Sequence, residues 1–340
     1  MRHAVPTAGS LGRRGWTIVA VLVASILSIK NWTHRLVQNL TDREVLGTMK
    51  FLLISVVLLP LLPSKPIDPW GVYNLQELWF LVVLVSGISF AGYFAMRFMG
   101  RDHGLAVTGA LGGLASSTAV TLAMSQRAGR AADDRAVNVA AAFGILVASG
   151  IMTVRVLFIV AAVAPKIVAP LALPVLAMAI PGVGVAGYFW TQMGADRTMP
   201  AEPEGPESSE TVGESTDADD LEIENPFELT PALKFGLLFV VIIGGVHFAR
   251  RGFGDYGTYI AAFVSGLANM DAISLEMGRM LEAGDIGTTV AVRGVVIAII
   301  ANSFSKAVLS ATIGSKKLGI YVTAGLIPMA VVGLGMVTLV

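Results

Sequence analysis

GLASSTAVTLAM at residues 113–124 and GLANMDAISLEM at residues 266–277 are one segment written twice. Six of the twelve positions are identical, and Val120/Ile273 and Thr121/Ser274 are close matches. Upstream, Asn74-Leu75-Gln76-Glu77-Leu78 answers Asn225-Pro226-Phe227-Glu228-Leu229, and each opens a long apolar run. Downstream, Ala148-Ser149 answers Ala301-Asn302 at the same separation of 153 residues as the core match. A repeat of this size is too long for a solenoid, whose units run to about 20–50 residues. In a strongly apolar chain it is typical of transporter-like membrane folds, where a site often forms between the halves. The copies differ in polarity at three places: Thr118 becomes Asp271, Ser116 becomes Asn269, and Thr153 becomes Lys306.

The composition is that of a membrane protein: 54% hydrophobic residues and only 14% charged, with a mean hydropathy of +0.72. A formal net charge of zero hides a sharp segregation. Residues 192–230 hold twelve Asp/Glu and a single basic residue, Arg197, which leaves the remainder with a net charge of +11. That excess lies in short clusters between apolar runs, as at the ends of membrane helices. Nucleic-acid binding would instead gather Lys and Arg on one soluble face, so no nucleic-acid partner is expected. The chain has no cysteine, which excludes disulfides and thiolate metal sites.

A spanning helix needs about 20 mostly apolar residues. Ten such runs occur, near 16–30, 46–63, 77–99, 104–126, 136–163, 167–191, 232–250, 256–280, 288–313 and 318–340. The first is short, and the sixth contains Pro170, Pro174 and Pro181. The expected fold is therefore an all-α polytopic integral membrane protein of about ten transmembrane helices, including two homologous four-helix repeats. Residues 1–73 form an N-terminal two-helix segment, 74–191 the first repeat and 225–340 the second. Between the repeats, 192–224 reads as an acidic disordered linker, too poor in apolar residues to offset its ordering entropy. Four helices per repeat give parallel copies, whereas re-entrant segments would invert them. Lys and Arg are nearly balanced between the two sets of loops, so the positive-inside rule does not fix the orientation.

Asp271 is the first candidate for chemistry. It lies about 13 Å from the nearer end of its run at 1.5 Å per residue, where an ionisable group costs about 2.5 kcal/mol or more and usually faces a partner or cavity. It reads as a cation or proton ligand, and so as a metal ligand. Equally, Gly266 can break the helix, Asn269 cap the next segment and Asp271 occupy its first turn. The two readings are compatible, because transporters expose backbone groups at broken helices. On a regular helix Asn269 and Asp271 stand about 200° apart, so both serve one site only if the backbone is irregular there. Ser116, Ser117 and Thr118 are the counterparts in the first copy. Arg155 and Lys306 are cations inside apolar runs, with Asn302 one turn before Lys306. Lys306 either snorkels to the far interface or is buried, and Arg155 is expected to have a buried partner. Glu276 and Arg279, spaced i,i+3, are expected to pair along one helix face. Arg250, Arg251, Lys316 and Lys317 read as interfacial anchors. None of the four histidines forms a zinc-type pair, and nucleophile-elbow, P-loop and dinucleotide motifs are missing. Neither an enzyme activity nor a cofactor is expected.

Four segments read together carry a family resemblance: GTMKFLLISVVLLPLLP (47–63), LVVLVSGISFAGYFAMR (81–97), GGLASSTAVTLAMSQR (112–127) and SGLANMDAISLEMGR (265–279). From about residue 25 onward the chain resembles the C-terminal membrane domain of MgtC/SapB-type bacterial proteins. The MgtC-like helical domain that usually comes first in that group is expected to be missing here, except for its last helix at 16–30. The resemblance implies a bacterial-type inner membrane and a link to magnesium homeostasis or envelope physiology. Two functions follow as expectations. One is a small-ion (cation or proton) transporter or channel; the other is a non-transporting regulatory scaffold acting through helix contacts. The partners expected are the lipid bilayer, a small ion, and a second copy of the chain or an MgtC-like membrane protein.

Overall fold

The computed structural model describes residues 42–99, 104–196 and 229–339. The first expected membrane run, 16–30, and nearly all of the acidic linker lie outside them. The chain divides into two units, one ending at Leu53 and the other starting at Ile54. In the first, helix α1 spans Asp42–Leu52. The second contains α2 (Leu75–Met99), α3 (Gly104–Arg130), α4 (Arg135–Val163), α5 (Pro165–Asp196), α6 (Leu229–Ala268), α7 (Met270–Glu282), α8 (Thr288–Leu309) and α9 (Lys316–Leu339). Every regular element among the described residues is helical.

Six of these helices (α2, α4, α5, α6, α8 and α9) are long and apolar enough to cross a membrane, against the ten spans expected. α7, with 13 residues, is too short alone. Their exposed surfaces carry large apolar side chains such as Leu173 and Ile180 on α5, Leu237 and Val241 on α6, and Ile320 and Val331 on α9. Water would penalise that surface, whereas lipid tails would not. The most enclosed spans are α4 and α8, with 61% and 56% of their apolar windows buried. Asp134 starts α4 by accepting hydrogen bonds from Ala136 N and Val137 N, which meets two of the amides that a helix start leaves free. The three prolines of the sixth run do not end α5, which continues through Pro170, Pro174 and Pro181.

α6 is two helices. As one straight rod its 40 residues would measure about 60 Å, twice the hydrocarbon thickness of a bilayer. Gly254 breaks it with φ +59° and ψ −138°, a conformation that side chains disfavour. A Cβ on Gly257 would collide with the Ala249 carbonyl. In a continuous helix those residues stand about 12 Å apart along the axis, so the chain doubles back here. The first arm, 229–253, covers the apolar run near 232–250, whereas the run near 256–280 is divided at Asn269 between the second arm, 255–268, and α7.

Two further breaks fall inside helical runs. Ser116 interrupts α3 with φ −161° and ψ 99°, and Asn269 separates α6 from α7 with φ −159° and ψ 113°. These residues are 153 positions apart, the spacing of the duplicated motif. Each break lies just beyond a glycine pressed against a neighbouring helix. A Cβ on Gly113 would fall 2.5 Å from Ala148 Cα in α4, and one on Gly266 would fall 2.7 Å from Ala298 Cα in α8. Gly266→Val should therefore lower stability in detergent by about 1–3 kcal/mol through overpacking. Gly182→Ala, where an added Cβ meets nothing within 4 Å, should leave the melting temperature of the purified protein almost unchanged.

Candidate functional site

Breaking a helix frees carbonyls before the break and amides after it, and these groups organise the buried centre of the molecule. At the second break the amides are met locally: Asn269 Oδ1 accepts from Asp271 N at 2.9 Å and from Ala272 N at 3.2 Å. Gly266 O accepts from Asn302 Nδ2 of α8 at 3.3 Å. At the first break Ser116 Oγ accepts from Ala119 N at 3.3 Å, which is the counterpart of the Asn269–Ala272 bond. The carbonyls there are met by a charge. Arg155 of α4 donates through Nη1 to Leu114 O and, at 3.5 Å, to Ala115 O.

The same guanidinium turns its other end to Asp271. Arg155 Nη2 and Asp271 Oδ2 form an ion pair whose side chains are 5% and 3% exposed. Arg155 thereby joins the broken backbone of one motif to the first turn after the break in the other. Asp271 also sits in the first turn of α7, where the positive end of the helix dipole favours an anion. The cap expected from the sequence is present, with Asn269 before α7 and Asp271 in its first turn.

Lys306 does not snorkel: it is 3% exposed. Its ammonium donates to Ser149 Oγ at 3.3 Å and approaches Met152 Sδ at 3.4 Å, both in α4. No carboxylate among the described residues bonds to it, although Asp271 and Arg155 lie within electrostatic range. Of the remaining expected residues, Ser117 is buried and its hydroxyl has no hydrogen-bond partner. Thr118 is exposed, so the residue matching Asp271 in the first copy is not part of this centre. Asp271 Oδ1, Asn302 Oδ1, Arg155 Nε and Ser274 Oγ are also buried without a hydrogen-bond partner, leaving them available to water or a ligand. No group of three or more His, Asp or Glu side chains able to hold a metal ion occurs among the described residues. The carboxylate expected to bind a metal is already engaged by Arg155.

Sequence reasoning missed Ser149 as the partner of Lys306, although the repeat had aligned it with Asn302. It also missed the cross-helix contact between Asn138 and Ser315, which are 0% and 7% exposed. The expected Glu276–Arg279 pair is present, with bonds of 2.7 and 2.8 Å.

A helical bundle with broken helices around a buried ion pair, clad in apolar side chains, defines a multi-pass membrane protein. The chain belongs to the family described as Domain of unknown function (DUF4010), whose profile matches residues 83–314. It is also similar to an uncharacterized protein of Aquifex aeolicus (strain VF5), with 40% identity over 101 residues. That match covers 30% of this chain and 44% of the relative. No solved structure matches the chain.

Removing one partner of a buried ion pair strands the other charge, at a cost of about 3–5 kcal/mol. Arg155→Met should therefore destabilise the protein strongly. Adding Asp271→Leu to it should recover much of the loss. Thermal unfolding of the two single variants and the double variant, treated as a double-mutant cycle, measures this coupling.

Proposed function

We propose that this protein is a secondary transporter of a small ion, with its site where the two broken helices meet α4 and α8. The observation that carries the reading is the buried trio of Arg155, Asp271 and Lys306 beside two interrupted helices. In an apolar bundle such groups are expensive and usually mark an ion or proton path, and paired broken helices are how many transporters build a site at mid-depth. On this reading the segments around the two motifs are homologous repeats. The second arm of α6 and α7 together make one discontinuous span, and residues 225–340 mirror 74–191. An Arg-x4-Asp-x-Gly pattern supports this, occurring at Arg97, Asp102 and Gly104 and again at Arg250, Asp255 and Gly257.

Charge balance narrows the ion. With Arg155 set against Asp271, Lys306 is one cation in excess. Either a small anion enters beside it or its proton leaves. The sequence alone favoured a cation or proton at Asp271. A metal cation would first have to displace Arg155 from that carboxylate, so a proton, alone or moving with an anion, fits this centre better. Alternating access would then exchange the Arg155–Asp271 and Lys306–Ser149 contacts between two arrangements of the halves. A link to magnesium homeostasis, or to an MgtC-like partner, rests on the motif resemblance.

A scaffold is the second reading. It is favoured by the tight seating of Gly113 on Ala148 and Gly266 on Ala298, and by Arg155 bridging the two motifs directly.

Proteoliposomes carrying an internal pH dye separate the readings. Transport predicts proton-linked flux of at least one ion in a screen of anions, monovalent cations and Mg²⁺. Lys306→Met should abolish the proton linkage. Asp271→Asn keeps the shape of the side chain and one acceptor oxygen but removes its charge, and should abolish flux when measured on the protein that remains folded and inserted. Thr118→Ala should leave flux intact. Absence of flux for every ion in the wild type, at normal thermal stability, would favour the scaffold.

A further inference from the structure

A polar cavity of about 300 Å³ lies where the hairpin turn of α6 meets the end of α7 and the loop before α2. Its charged and titratable lining is Arg250, Arg251, Arg279, Glu276, Asp285 and His247. Glu276 gives both carboxylate oxygens to Arg279, so that pair is internally neutral. Arg250 and Arg251 have no hydrogen-bond or ion-pair partner among the described residues. Arg250 Nη1 and His247 Nε2 are buried without a partner. Asp285, exposed at the rim, is the one carboxylate of this lining that Arg279 does not already hold. The cavity therefore holds two uncommitted guanidinium groups against one carboxylate, with an imidazole alongside. Guanidinium groups donate only, and several of them converging call for an acceptor-rich anion. Phosphate oxygens suit that arrangement.

The surroundings are amphipathic. Trp70 stands edge-on to Phe248, with ring centroids 5.9 Å apart, and is 56% exposed. Phe253 and Tyr256, on either side of the Gly254 turn, are 72% and 79% exposed. Asp68 holds the Trp70 loop in shape by accepting from the amides of Trp70 and Val72, each at 3.0 Å, and from Tyr73 N at 2.6 Å. Aromatic side chains around arginines at the turn of an apolar hairpin match the headgroup level of a bilayer. A simple interfacial anchor keeps its guanidinium in water. Arg250 instead turns one buried nitrogen into a walled cavity.

We infer that this cavity binds a phosphate group through Arg250, Arg251 and His247, either on a phospholipid headgroup or as a free phosphate. The site is separate from the Arg155–Asp271 centre and does not depend on its function.

Thermal shifts of the full chain in detergent test the inference at constant ionic strength. The probes are short-chain phosphatidic acid, phosphatidylglycerol and inorganic phosphate, with chloride as the control. A saturable rise in melting temperature is expected from at least one probe. A rise from the lipids alone identifies a headgroup, and an equal rise from inorganic phosphate identifies a free anion. Arg250→Gln with Arg251→Gln should weaken the response about tenfold or more. Lys316→Gln with Lys317→Gln, which removes two charges elsewhere, should leave it intact. Asp285→Asn removes the opposing charge and should strengthen the response about threefold, which keeps the test decisive if the arginine variant does not fold. The inference fails if no probe gives a saturable shift, if the lysine variant loses the response equally, or if Asp285→Asn weakens it.

Discussion

A helix that breaks inside an apolar protein must find partners for the backbone groups it frees, and this requirement shapes the centre of the molecule. Unsatisfied, each such group costs several kcal/mol in a medium without water. At the second break Asn269 caps the amides beyond it and Asn302 reaches across from α8 to the Gly266 carbonyl. The first break has a weaker hydroxyl cap, and its carbonyls draw in the Arg155 guanidinium. Arg155 can lie buried because its positive charge meets the carbonyls at one end and Asp271 at the other. Remove the breaks, and neither the charge nor the asparagine has a reason to be there.

The same arrangement explains why the enclosed helices are α4 and α8. Each provides a small-residue surface for a glycine next to a break, Ala148 for Gly113 and Ala298 for Gly266, and each supplies the side chain that meets the freed carbonyls. They also meet each other where Lys306 donates to Ser149. The peripheral helices turn apolar side chains outward. Backbone repair, close packing and buried charge are thus concentrated in one layer.

Local chemistry made much of this architecture readable in the chain. Apolar runs located the helices, including the separate runs that the two arms of α6 occupy, because hydropathy and length are properties of a segment. Gly266 followed by Asn269 pointed to the break, since glycine weakens a helix and a short polar side chain caps the amides a few residues ahead. The Glu276–Arg279 pair followed from helical spacing alone. Depth in the apolar run marked Asp271 as costly, and hence as a residue with some function or partner.

What the sequence by itself determined is therefore where helices start, stop and break, and which side chains are out of place in an apolar setting. Tertiary structure decided who answers them. Arg155 and Asp271 are 116 residues apart, and Lys306 and Ser149 are 157 apart; no periodicity along the chain couples such positions. Thr118 and Asp271 occupy the same place in the duplicated motif, yet one is exposed and the other buried, because each copy packs against different neighbours. Arg250 and Arg251 read as ordinary anchors until the reversal at Gly254 brought them against α7 and the Trp70 loop. Segment chemistry is local, whereas burial and partner choice are set by how helices pack.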